Sequence, residues 1–145
     1  MTRVKRMKPV QHLYDYTERR TALSLATIER KVADAETKLQ ELERYRVDYD
    51  KQFAQRAGGG ISVTALRDYQ AFLARLSEAI KQQQAVVNRA QSERDAERRR
   101  WQEAAKRAKA LGHVVEQWQS EERRASDRRE QRESDERAQR RVTKT

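Results

Sequence analysis

The sequence predicts an all-α fold, a long two-helix antiparallel coiled-coil hairpin with an overhanging C-terminal helix. Three observations predict it: two apolar stripes in alternating three-four spacing, one cluster of helix breakers between them, and a composition with more charged residues (39%) than hydrophobic ones (36%). A compact globule carries about 45–50% apolar and about 25% charged residues. So much charge leaves either disorder or long helices that bury a narrow stripe. Ala, Glu, Arg, Gln, Lys and Leu dominate, and all are good helix formers, which favours the helices. The breakers are confined to Pro9 near one end and to Gly58, Gly59 and Gly60, with Gly112 alone elsewhere.

The first helix is expected over about residues 9–56 of a single 1–145 domain. Its stripe is Leu25, Ile28, Val32, Ala35, Leu39, Leu42, Arg46, Tyr49 and Phe53. With Leu25 at heptad position a, these are successive a and d sites, the positions that insert between residues of a facing helix. Only Arg46 interrupts it.

A loop at 57–61 follows, where the glycines permit positive φ and Ser62 is placed to cap a second helix of about 62–140. The second stripe keeps the same rhythm from Leu66, Tyr69, Leu73, Leu76 and Ile80 through Gln83, Val87, Ala90, Arg94 and Glu97 to Trp101, Ala104, Ala108, Leu111, Val115 and Trp118. Its middle, Gln83 to Glu97, is expected to be the weakest section, because polar and small residues occupy core sites there. So short a loop forces neighbouring antiparallel helices, with facing residue numbers adding to roughly 115–118. The first helix then runs out near Pro9, and the second overhangs beyond about residue 109. From residue 121 the chain is highly charged, which reads as a solvated single helix held by i,i+4 ion pairs, or as a frayed tail.

Catalytic, metal and cofactor chemistry is not expected. The chain has no cysteine, so disulfides and thiolate metal sites are excluded. His12 and His113 come with no carboxylate spacing of a metal site, and the triple glycine lacks the Lys-Ser/Thr of a phosphate loop. Acids and bases interleave along exposed faces, where no pocket would shift their pKa values. The basic N-terminus is followed by no apolar run and does not read as a secretory signal, nor is any stretch apolar enough to span a membrane.

The register places Tyr45, Phe72 and Ala79 at g positions, on the shoulders of the seams. Antiparallel helices set g against g, so Tyr45 and Phe72 are expected to adjoin, edged by Leu42, Tyr49 and Leu76. Two readings stand: rings that thicken the thin end of a core, or a part-exposed aromatic anchor for a partner. A shorter stripe of Leu13, Tyr16, Arg20 and Leu23 lies out of phase with the main seam and suggests that the terminal end also meets something.

The segment Tyr45-Arg46-Val47-Asp48-Tyr49, the Gly58 to Gly60 loop and the run from Tyr69-Gln70-Ala71-Phe72 to Ile80 together resemble the flagellar export protein FliJ family. The resemblance covers most of the chain, best from about Leu13 to Trp118. It implies a non-enzymatic part of the flagellar type III export apparatus, similar to the central stalk of rotary ATP synthases. The implied location is cytoplasmic, peripheral at the inner-membrane export gate, with membrane contact only through partners. Implied partners are the export ATPase FliI and the gate protein FlhA, with FliH and export chaperones as further ones, and no cofactor or small-molecule substrate. The family's gate-facing residues match Leu42, Tyr45, Tyr49, Phe72, Leu76 and Ala79, while Lys38 and Gln83 depart from the Gln and His expected there. A rod of about 70 Å or more, at 1.5 Å per residue, would reach from ATPase ring to gate. Arg123, Arg124, Arg128 and Arg129 are candidates for contacts with acidic surfaces of the ring.

Two rival readings remain. The formal net charge of +10 and runs such as Arg98-Arg99-Arg100 suit a nucleic-acid-binding coiled coil, although acids interrupt nearly every basic run. A self-associating structural coiled coil is the other.

Overall fold

A computed structural model describes residues 2–144. It contains two helices, α1 (Arg3–Ala57) and α2 (Val63–Thr143). Contacts divide the chain into two units: a terminal unit of residues 1–20 and 102–145, and a central unit of residues 21–101. In each, a stretch of α1 packs antiparallel on a stretch of α2.

The central unit follows the heptads closely. Val32 and Ala35 on α1 are buried, as are Leu76, Val87 and Ala90 on α2. Leu25, Ile28, Leu39, Leu42, Tyr49 and Phe53 are half-buried, and the interrupting Arg46 is exposed. The middle of the α2 stripe is enclosed rather than loose: Val87 is 3% and Ala90 1% exposed. The small side chain of Ala90 allows close approach of the two helices. Gln83, the buried polar residue beside them, donates its Nε2 to the Ala35 carbonyl at 3.0 Å. A core site that looked like a weakness is thus a satisfied polar contact, the kind that fixes alignment.

The shoulders pair g with g and e with e, as antiparallel seams require. On the g flank, Lys31 Nζ lies 3.1 Å from Glu93, a pair of residue numbers that adds to 124. On the e flank, Gln91 donates to Glu36 at 3.1 Å and Arg98 lies 3.7 Å from Glu29, and both of these pairs add to 127. Contacts nearer the seam keep the expected alignment, since Gln83 and Ala35 add to 118 and Tyr45 and Phe72 to 117, while the long side chains of the shoulders reach up to about a heptad beyond it. The pivot is Gly60, midway between the end of α1 and the start of α2, with φ of +86°. Gly58 and Gly59 continue as turns, their amides donating to the Ala54 and Arg56 carbonyls, so only one of the three glycines uses a left-handed backbone. Ser62 caps α2, accepting from the Ala65 amide at 3.1 Å.

In the terminal unit α1 does not stop at Pro9. It begins at Arg3, with Thr2 as its cap, accepting the Lys5 amide at 3.3 Å. Pro9 falls at heptad position f, on the exposed outer face. Its ring and the lost amide bond therefore cost about 3 kcal/mol of local helix without disturbing the seam. Val4 (6% exposed) and Met7 carry the a–d rhythm past it, and Arg3 meets Glu121 at 2.8 Å while its guanidinium lies 4.8 Å over the Trp118 ring. Val115 is buried on the α2 side, and half-burial continues to Glu122 and Ala125. The unpaired part of α2 consequently begins near residue 126, not 109. There the helix continues to Thr143 with exposed side chains, among them Gln131 donating to Asp135 and Arg137 to the Glu133 carbonyl.

Two glycines give opposite expectations. A Cβ at Gly60 meets no atom within 4 Å, so Gly60→Ala suffers only from the left-handed backbone and lowers the unfolding free energy by about 1–2 kcal/mol. A Cβ at Gly112 is equally unobstructed but lies within α2, so Gly112→Ala raises stability by about 1 kcal/mol. Urea unfolding followed by circular dichroism measures both.

Candidate functional site: an aromatic ladder beside the loop

Tyr45, Tyr49 and Phe53 stand at i, i+4 and i+8 on α1 and so share one side of the helix. Tyr69 and Phe72 face them from α2. Phe53 and Tyr69 stack with ring centroids 3.7 Å apart, and Tyr49 stacks on Tyr69 at 5.3 Å. Phe72 lies 4.4 Å from Tyr49 and meets Tyr45 edge-on at 5.9 Å, while Tyr45 and Tyr49 are 6.4 Å apart. The result is a continuous ladder of five rings crossing from seam to shoulder. Each such pair adds about 0.5–1.5 kcal/mol beyond its buried area.

The g-on-g expectation is met where Tyr45 touches Phe72. Tyr45 is the outermost ring, 52% exposed; Tyr49, Phe72, Leu42 and Ala79 are half-buried, and Leu76 is buried at 5%. The six residues named from the sequence thus range from floor (Leu76) to rim (Tyr45). Phe53 and Tyr69 were legible as seam residues but not as members of this ladder. The available signal was the i+4 continuation of Tyr45 and Tyr49 to Phe53.

Asp50 completes the site. The Tyr69 hydroxyl donates to its carboxylate, and this hydrogen bond is the main reason the phenol is held above its ordinary value of 10.0, with desolvation and the Asp50 charge adding to it. The bond links the seam residue Tyr69 to Asp50 on the e flank of α1, while Tyr45 and Phe72 sit on the g flank. The ladder is rigid, apolar and open on one side, which suits it to receive a protein surface rather than to enclose a small molecule.

Arg123, Arg124, Arg128 and Arg129 belong to the terminal unit and are exposed. Arg123 lines a groove with Lys5, Lys8 and Gln119, and Arg128 Nε donates to the Arg124 carbonyl at 3.3 Å. His12 and His113 are exposed, with His113 Nδ1 3.8 Å from Glu116. Among the described residues no group of three His, Cys, Asp or Glu side chains is placed to hold a metal ion. Among the same residues no helix is long and apolar enough to cross a membrane.

Fold and site together define a class: helical-hairpin proteins whose distinctive surface is a part-exposed aromatic ladder. Comparison with protein-family models matches the flagellar FliJ protein over residues 3–145. The chain belongs to the FliJ family, whose members are non-catalytic components related to flagellar export. No curated protein and no solved structure matches it.

The Tyr69–Asp50 bond sets a pH dependence. Because the folded phenol is raised, its contribution to stability is complete below pH 10 and is lost as pH rises through the folded pKa. Absorbance titration at the tyrosinate band should show a component above pH 10 that disappears in Tyr69→Phe and falls in Asp50→Asn.

Proposed function

We propose that this protein is a non-enzymatic stalk or adaptor of the flagellar type III export apparatus, linking the export ATPase FliI to the gate protein FlhA. It assists export chaperones, with FliH a further possible partner, and works in the cytoplasm, peripheral to the inner-membrane gate. Family membership supports the setting. The observation that carries the gate contact is the ladder: Tyr45 projects from a shoulder whose floor is made of Phe72, Tyr49 and Leu76, so a partner can cover the ring without opening the seam. Aromatic anchors seated on such a floor are the commonest binding hot spots. The role of the helices is then mechanical, to hold two binding surfaces on one continuous covalent backbone.

The ATPase end is assigned to the terminal unit. Its residues 1–20 and 102–145 hold 18 Lys and Arg against 11 Asp and Glu, a net +7, compared with 15 against 12, or +3, in residues 21–101. Arg123, Arg124, Arg128 and Arg129 on this unit face acidic surfaces of the ring.

Two measurements test the two ends separately. Tyr45→Ala removes a ring that is more than half exposed, so helix content and melting temperature stay close to wild type while affinity for the FlhA cytoplasmic domain falls at least tenfold and FliI binding is kept. Equal FlhA affinity in the variant overturns the gate assignment. Reversing the four arginines to glutamate should weaken FliI binding and flatten its salt dependence; an unchanged salt slope removes the arginines from that interface.

A further inference from the structure

The terminal unit carries an exposed apolar surface of its own. Val10 (36% exposed), Leu13 (58%), Tyr14 (36%) and Tyr16 (52%) are large hydrophobic residues left open on α1, and Val114 (37%) is open on α2. Val10, Leu13 and Tyr14 follow i, i+3, i+4 spacing, and they occupy the adjoining heptad positions g, c and d. Tyr16, at f, extends the patch outward, where its hydroxyl accepts from Arg20 Nη1 at 3.0 Å. Arg3 and Glu121, both at g, pair across this flank, and one heptad along each helix from them Val10 and Val114 hold the same g position. The apolar floor is therefore shared by both helices, and the groove along their g flank has the form that receives one more helix.

The border of this groove is cationic. Within residues 2–20 the acids are Asp15 and Glu18, at heptad positions e and a, away from this flank. On the flank itself stand Arg6 and Arg20 from α1 with Arg107 from α2, and Lys106, at f, borders it on the outer side. The acids that reach it from α2 are held by arginines: Glu103 lies 3.8 Å from Arg107, and Glu121 2.8 Å from Arg3. A second copy of this chain would set these cations against their own kind.

We propose that the g flank of the terminal unit is a docking groove for a third helix, an amphipathic segment of a partner protein whose apolar stripe is bordered by glutamate and aspartate. Leu13 and Val10 supply the anchors, Val114 the far wall, and Arg6, Arg20 and Lys106 the polar rim. The groove lies in the unit assigned to the ATPase end but uses residues other than the four arginines named there, and its test contains neither FliI nor FlhA.

The probe is a fluorescein-labelled synthetic peptide of three heptads with leucine at a and d and glutamate at the outer positions, compared with the same peptide carrying lysine for glutamate. Anisotropy titration against the full chain at near-physiological salt should show binding of the acidic peptide and none of the basic one. Leu13→Asp and Val10→Asp should each weaken binding at least tenfold with helix content unchanged, whereas Val63→Asp, 68% exposed in the central unit, should leave it unaltered. Failure of the acidic peptide to bind, equal binding of both peptides, or binding that survives Leu13→Asp overturns the proposal. So does a concentration-dependent dimer that Leu13→Asp dissolves, or sedimentation with phosphatidylglycerol vesicles that Leu13→Asp abolishes, since either assigns the face to another occupant.

Discussion

The interdigitation of a and d residues between α1 and α2 is the contact on which everything else rests. Among the described residues no third layer covers it, so each seam residue has partners on one neighbouring helix and solvent close by. That explains why so few side chains are buried: Val32, Ala35, Leu76, Val87 and Ala90 in the central unit, Val4 and Val115 in the terminal one. It also explains the ladder. Near the loop, where the seam ends, aliphatic side chains alone would bury little. Rings with only two side-chain torsions cover more area at a smaller entropic loss, and Phe53, Tyr69, Tyr49 and Phe72 close that end of the seam by stacking.

Alignment is a separate matter from adhesion. Shoulder pairs such as Lys31–Glu93 and Glu29–Arg98 are about half exposed on both sides and each adds at most about 1 kcal/mol. Gln83 differs, because its amide is buried and bonded to the Ala35 carbonyl. Sliding the helices would strand that amide away from both water and its acceptor, at about 1–3 kcal/mol. The seam thus holds the helices together, and one buried amide with a set of weak rim contacts decides where along each other they stop.

The same construction leaves the flanks available for partners. A ring at a g position can be half in the seam and half out, as Tyr45 is, and so can serve both the fold and a binding surface. The terminal unit makes its own flank from smaller apolar residues within a basic border. The two flanks thus differ in which rings and charges line them, while the seam beneath is built in the same way.

The heptads along Leu25 to Phe53 and Leu66 to Trp118, the Ser62 cap, and the meeting of Tyr45 with Phe72 were all legible in the sequence, because each follows from local spacing: helical periodicity states which way a residue faces. The continuation of α1 through Pro9 was not, since whether a proline is tolerated depends on whether its outer face is free and on what Val4 and Arg3 find across the seam. Nor was the stacking of Phe53 on Tyr69, nor the bond from Tyr69 to Asp50. A repeat of seven is unchanged by a slide of seven, so the pattern alone admits a series of alignments that put the same faces together. Only the contacts between the two helices, with the turn pivoting at Gly60 and Gln83 finding the Ala35 carbonyl, choose one of them.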